Sequence, residues 1–186
     1  MKIEIPPGHS IEYIEGFLSK EEADDILRDL LQTEMTPEIV RMFGRDTVTK
    51  RKSEQFGVQY DYNPTAKKAK PWTPLMLSVK ARMESIAGPL DGGLIQVYPT
   101  GEAGIGWHRD AGDPEIIASL SLGAERHFAF GAGPVSKCVE VYRMRLAHGS
   151  LLLIPSGVNE ALKHRVPPER RVDEPRINVT LRRFPR

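Results

Sequence analysis

The sequence contains one cysteine, Cys138, so no disulfide can form within the chain. A reducing setting suits it. No apolar run approaches the roughly 20 residues needed to cross a bilayer, which argues against a helical membrane protein. The opening Met1-Lys2-Ile3-Glu4-Ile5-Pro6-Pro7 lacks the longer apolar stretch of a secretory signal, so a cytoplasmic or nuclear setting is expected. Repeats, low-complexity segments and any linker long enough to separate domains are missing too, and 186 residues fit one domain. Net charge is only +1. Its distribution is uneven: residues 1–40 hold ten acids and three bases, while residues 137–186 hold eleven bases and five acids. A second basic cluster comprises Arg41, Arg45, Lys50, Arg51 and Lys52. Such asymmetry suits an anionic partner on one face, and equally a solvated surface.

What is present reads as helices first and strands after. Ser19 followed three residues on by Glu22 is a capping box. Ile26, Leu27, Leu30 and Leu31 then recur at helical spacing, which predicts a helix over 20–31. Thr73-Pro74 opens a second, with Leu75, Met76, Val79, Met83 and Ile86 along one side. From Gly93 onward strand-like runs take over at 94–98, 116–122, 128–130, 139–146, 150–154 and 176–184. Gly, Pro, Asn or Asp punctuate most of the gaps. Two helices followed by a run of strands predict an α+β domain, the helices packed on a β-sandwich or jelly roll.

Trp107-His108-Arg109-Asp110 sets a histidine and an aspartate two apart. In extended chain, residues i and i+2 face the same way, so imidazole and carboxylate can converge on one cation. A His-x-Asp pair is common by chance, and a third ligand has to come from elsewhere. His9, His127, His148 and His164 are available. His148, in Ala147-His148-Gly149-Ser150, reads as a turn histidine at the surface or bonded to backbone, and His127 beside Arg126 as a structural strand residue. His164 follows the strand and turn of 151–157 and precedes Val166-Pro167-Pro168. Two imidazoles and one carboxylate form a facial triad that leaves positions open on ferrous iron, but zinc accepts the same set.

The last strand bears on that choice. In Arg176-Ile177-Asn178-Val179-Thr180-Leu181-Arg182 the apolar residues face one way and Arg, Asn, Thr and Arg the other. On an open sheet the polar face meets water; in a barrel or sandwich it can turn inward and line a pocket. Arg176 and Arg182 would lie ~20 Å apart along the backbone, with long side chains able to lean together. A dicarboxylate between two guanidinium groups fits, since arginine pairs carboxylates in bidentate fashion. A zinc hydrolase has no need of such a strand.

Together these motifs resemble the AlkB family of iron(II)- and 2-oxoglutarate-dependent dioxygenases, which reverse alkylation damage in nucleic acids. The match runs in order through Leu94-Ile95-Gln96-Val97-Tyr98, Ile105-Gly106-Trp107-His108-Arg109-Asp110, residues 117–123 and 146–152, His164-Arg165-Val166-Pro167 and residues 176–182. A looser match extends upstream through Arg51-Lys52, Phe56-Gly57, Tyr60-Asp61-Tyr62 and Pro71-Trp72-Thr73-Pro74. The resemblance implies a double-stranded β-helix (jelly-roll) core at 91–186. It also implies N-terminal helices, packed on one sheet, and a nucleotide-recognition segment at 1–90, all in one domain. It selects His164 over His127 and His148 and assigns iron(II) to His108, Asp110 and His164. Arg176 is then expected to pair the distal carboxylate of 2-oxoglutarate, with Arg182 near its other end and near Asp110. Gln96, Tyr98, Ser119 and Asn178 line the cosubstrate; Gln96 stands where many relatives carry Asn.

The reaction so implied couples decarboxylation of 2-oxoglutarate to succinate with hydroxylation of an N-methyl group by dioxygen. The hemiaminal then collapses to formaldehyde and the free base. A base must leave its stack to reach the metal. Tyr60 and Tyr62 match the recognition segment and could stack on it, and Arg51, Lys52 and Arg143 suit phosphate contacts. Two departures bear on base choice. Ala111-Gly112-Asp113-Pro114-Glu115 is short and lacks the acidic residue that follows the triad aspartate in the best-known repair members, and Ala161-Leu162-Lys163 stands where an aromatic often precedes the second histidine. The alternatives are a hydroxylase of a protein or small molecule with the same chemistry, and a catalytically silent nucleic-acid-binding module. Intact ligands and both arginines argue against the silent module. No oligomeric state is legible; a monomer is compatible with these features.

Overall fold

The computed structural model describes residues 1–42, 44–59 and 66–185; Tyr60 and Tyr62 lie outside the described residues. In chain order the elements are β1 (Lys2–Ile5), β2 (His9–Ile14), α1 (Lys20–Gln32), β3 (Thr36–Met42), β4 (Arg45–Gly57) and α2 (Pro74–Ala87). There follow β5 (Gly92–Tyr98), β6 (Ile105–His108), β7 (Ile116–Gly123), β8 (Arg126–Ala132), β9 (Val139–Leu146), β10 (Ser150–Pro155), α3 (Ser156–Ala161), β11 (Lys163–Val166) and β12 (Arg176–Arg183). The strands form an eight-stranded sheet, ordered β1-β2-β10-β7-β12-β5-β4-β3, and a four-stranded sheet, ordered β6-β11-β8-β9. The pairings within both are antiparallel.

Both expected helices form where their caps place them. Ser19 Oγ accepts from Glu22 N while the Glu22 side chain accepts from Ser19 N, so the capping box closes in both directions. Thr73 Oγ1 accepts from Met76 N, and Pro74 sits where its missing N–H costs nothing. Ala23 and Leu30 of α1 and Met76, Val79 and Met83 of α2 share one hydrophobic cluster with Leu120, Leu122, Ile177, Val179 and Leu181 of the large sheet. The stripes are narrower than the sequence spacing predicts. Leu31 is 43% exposed and Ile86 48%, and Ala87 is buried in α2 instead.

The first 57 residues are richer in strand than their composition predicts. β1 and β2 extend the large sheet beyond β10, and β3 and β4 extend it beyond β5. β4 hides its nature because its inner half, with Ser53, Glu54 and Gln55, is polar yet buried. Glu54 is offset there by Lys70 at 3.1 Å and Lys67 at 3.9 Å. Tertiary pairing has overridden the local pattern.

β12 runs between β7 and β5 and is buried on both faces. Ile177, Val179 and Leu181 face the helices, so Arg176, Asn178, Thr180 and Arg182 face the other way. That face, with Tyr98, Ile117 and Ile154 of the large sheet, opposes Phe128, Phe130 and Val166 of the small sheet across a second core. The polar stripe therefore lies inside the molecule, between the sheets.

Candidate metal centre

β6 and β11 pair so that His164 stands directly opposite His108. Cross-strand neighbours on one face bring their side chains together, and the two imidazole centroids are 4.3 Å apart. Asp110, two residues past His108, turns its carboxylate to the same point: Oδ1 lies 3.8 Å from His108 Nε2 and 3.6 Å from His164 Nε2. One ligand atom from each residue lies within 4.8 Å of the others.

The surroundings set the protonation that a metal requires. His108 Nδ1 lies 2.9 Å from the Gly106 carbonyl, so the ring proton sits there and the Nε2 lone pair faces Asp110. Burial and the neighbouring His164 push His108 down to about 3, against the pull of Asp110, so the imidazole is neutral. Burial alone would raise Asp110, but Arg182, followed by the two histidines, outweighs it and holds the carboxylate ionised. Arg182 donates from Nε (2.8 Å) to Asp110 Oδ2, with Nη2 2.7 Å from the same oxygen. Oδ1 is thereby left to the histidines. His164 is held differently, with Phe128 stacked on its ring at 5.4 Å and its buried Nδ1 without a hydrogen-bond partner among the described residues. Two imidazoles and an ionised carboxylate converging on one point fit a divalent cation.

Beneath the triad a cavity is lined by Gln96, Tyr98, Ser119, Asn178, Thr180 and Arg182 with Ile117, Phe128 and Ile154. Arg176, 1% exposed, lies on the same face of β12 as Asn178, Thr180 and Arg182. Its Nη2 donates to Ser121 Oγ at 3.0 Å and its guanidinium lies over the Tyr98 ring at 5.1 Å. Nε and Nη1 are buried without partners among the described residues. An arginine buried with two idle donors is costly, and a carboxylate of a bound molecule answers both. The other polar groups satisfy one another. Asn178 donates to Ser119 Oγ and the Leu120 carbonyl, Thr180 donates to Asn178 Oδ1, and Tyr98 donates to Gln96 Oε1. The longer Gln96 side chain is thus spent partly on Tyr98.

A second cavity shares Gln96, His108, Asp110 and Arg182 and adds Glu38, Arg51, Leu94 and Arg109. Three residues expected at phosphate contacts take these places. Arg51, 5% exposed, donates to Glu38 from Nε and Nη2 and to the Gly104 carbonyl from Nη1, and forms a wall of this cavity. Lys52 stands opposite Val97, and strand alternation turns it to the α1 side of the sheet, where it borders a groove with Leu30 and Met35. Arg143 on β9 is committed to Glu140 at 2.7 and 2.9 Å and lines neither cavity.

Several contributors leave little trace in the sequence. Ser121 is one more serine in a strand; Glu38 lies in a stretch that reads as acidic surface; Asn159, whose amide meets the backbone of Asp110, reads as a turn residue. The other histidines take the structural places expected. His127 Nδ1 pairs with Glu169 at 2.9 Å, and His148 accepts from Gly123 N and meets Asp24.

Comparison with known proteins bears on the same residues. The family model described as the 2OG-Fe(II) oxygenase superfamily matches residues 10–182, a span that includes the triad and both arginines. The chain is 35% identical to DNA oxidative demethylase ALKBH2 of Mus musculus over 197 aligned residues, covering 95% of this chain and 81% of the relative. To the Homo sapiens protein of that name it is 33% identical, covering 89% and 70%. To alpha-ketoglutarate-dependent dioxygenase alkB homolog 3 of Homo sapiens it is 32% identical, covering 90% of this chain and 63% of the relative. A solved structure titled "The structure of OsALKBH1" superposes with a TM-score of 0.61 at 17% identity, covering 93% of this chain and 97% of that one, a likeness of fold. Iron(II), 2-oxoglutarate and dioxygen are the cofactor and cosubstrates that such a family implies, and the donor set described above fits the first two. The chain belongs to the 2OG-Fe(II) oxygenase superfamily.

Proposed function

We propose that this enzyme removes N-linked methyl groups from the bases of DNA or RNA by oxidation. One N-methyl group, one 2-oxoglutarate and one dioxygen give the N–H base, formaldehyde, succinate and carbon dioxide. The observation that carries the reading is the convergence of His108, Asp110 and His164 over a polar cavity, with the buried Arg176 on the same strand face keeping Nε and Nη1 without hydrogen-bond partners among the described residues. The relatives whose names state an activity on DNA support the nucleic-acid part.

In this reading His108, Asp110 and His164 hold iron(II), which with 2-oxoglutarate and dioxygen supplies the oxidant for a C–H bond. Arg176 receives the distal carboxylate of 2-oxoglutarate through its idle Nε and Nη1. Arg182 fixes Asp110 and borders the other end of the cosubstrate. Gln96, Tyr98, Ser119 and Asn178 shape the space between. The protein's own role is positioning, with no acid–base dyad required. The second cavity, walled by Glu38 and Arg51 and bordering His108 and Asp110, is where an extruded base would sit. Stacking by Tyr60 and Tyr62 belongs to the same proposal. So does a single domain over 1–186: residues 91–186 as a double-stranded β-helix core, residues 1–90 supplying recognition, with α1 and α2 packed on the large sheet. Action on nucleic acid would place it inside the cell, in cytoplasm or nucleus. No helix of the described residues is long and apolar enough to cross a membrane.

The test is succinate formation by purified protein with iron(II), ascorbate and 2-oxoglutarate. It is run with and without DNA and RNA oligonucleotides bearing N1-methyladenine or N3-methylcytosine. Methylated strands should stimulate succinate release and yield formaldehyde in equal amount. If no methylated strand stimulates turnover, the substrate is a protein or small molecule and the oxygenase assignment still stands.

A further inference from the structure

We propose that Asn159 is a positioning residue of the metal centre, holding Asp110 in register with the two histidines. Asp110 lies just past the end of β6, beyond the last pairing of that strand with β11. Its peptide groups therefore have no ladder partner. Asn159 supplies one from a side chain: Oδ1 accepts from Asp110 N at 3.0 Å, and Nδ2 donates to the Asp110 carbonyl at 3.0 Å. A primary amide reproduces the donor and acceptor of a neighbouring strand at a point where no strand runs. Asn159 is 3% exposed and Asp110 8%, so water does not compete for these groups. With Arg182 gripping Oδ2, the aspartate is fixed at backbone and side chain, and only Oδ1 is left to face the histidines.

The position of Asn159 in the chain gives the contact a second consequence. It lies on α3, which leads within a few residues into β11 and His164. The segment that delivers one histidine thus also clamps the aspartate delivered from beside the other. Partners one step removed from a metal set its retention, and losing one typically costs about 10–100-fold in affinity. The proposal rests on His108, Asp110 and His164 being the metal site, but not on any substrate.

The probe is cobalt(II), titrated into the metal-free protein and followed by its visible absorption bands, beside the thermal midpoint of the metal-free protein. Asn159→Ala removes both hydrogen bonds. Asn159→Asp keeps the shape and removes the donor. Glu160→Ala, on the exposed neighbour, controls for disturbance of the helix. Both Asn159 variants should bind cobalt at least about ten-fold more weakly, with altered band positions, while Glu160→Ala binds as the parent does. At least one of the two metal-free Asn159 variants should still unfold cooperatively, which shows that the fold is kept. Parent-like cobalt affinity in either folded Asn159 variant overturns the proposal. So does loss of fold in both, which would make Asn159 a determinant of the fold and not of the centre. His108→Ala in the same titration reports on the triad: abolished binding there with unchanged binding in the Asn159 variants refutes Asn159 alone, whereas binding that survives there refutes both.

Discussion

Each imidazole of the triad is presented by its Nε2, and the Gly106 carbonyl fixes this for His108 by accepting a hydrogen bond from Nδ1–H. His108→Ala should therefore abolish both metal binding and turnover; retained succinate formation would remove His108 from the ligand set. A pH dependence follows from the same ring. His108 is pushed from an ordinary 6.5 to about 3 by burial and by His164. Between those values the unfolded chain holds a proton that the folded chain does not, so stability falls as pH drops through that window. Asp110, held below the ordinary 3.8, acts in the same direction at the acid end: its contribution is present above the unfolded value and lost as pH falls through the folded one. The thermal midpoint of the metal-free His108→Asn variant should accordingly decline less between pH 7 and 5 than that of the parent. Equal slopes would mean that the folded imidazole titrates normally. Of the candidate ligands, His108 and Asp110 are legible in the sequence because residues two apart in extended chain face the same way, whereas only the family resemblance selects His164 among the histidines. Asn159 and Ser121 are not legible, since what they do depends on contacts with residues about fifty positions away in the chain.

At the level of elements, the two limbs of the candidate centre are tied together behind the triad. Arg126 at the start of β8 is 1% exposed and donates to the carbonyls of Gly101, Ala103 and Pro167 as well as to Glu169. It thus joins the loop before β6 to the loop after β11. Gly101 lies so close to the second loop that a Cβ there would collide with the Glu169 carbonyl oxygen, so glycine here serves close approach. Arg126→Met should cost about 3–5 kcal/mol in urea unfolding, because it leaves the carbonyls of Gly101, Ala103 and Pro167 without their buried donor. A loss below about 1 kcal/mol would mean that water takes the place of the guanidinium. Strands with a clean apolar period, such as β7, β10 and β12, are readable from sequence. β6 and β11 are not: each is four residues long and only partly buried, and they exist because they pair with each other and with β8.

For the whole molecule, the decisive fact is that the site belongs to neither sheet alone. β6 and β11 of the small sheet bring His108 and His164, while β12 of the large sheet brings Arg176 and Arg182. A metal with a dicarboxylate between them should act as a staple across the core. A ligand that binds only the folded chain at 100 times its Kd adds about 2.7 kcal/mol, which for a domain of this size raises the midpoint by roughly 5–11 °C. Manganese(II) followed by 2-oxoglutarate should therefore raise the midpoint in two steps, and a chelator should return it to the metal-free value. Arg176→Met separates the steps. It keeps the three ligands, so the metal increment should persist, but it removes the buried cation that the distal carboxylate is expected to meet. The 2-oxoglutarate increment should then disappear at concentrations that saturate the parent. A full second step in Arg176→Met would mean that the dicarboxylate lies elsewhere in the cavity, and that the inward-facing arginine of β12 serves the fold and not the cosubstrate.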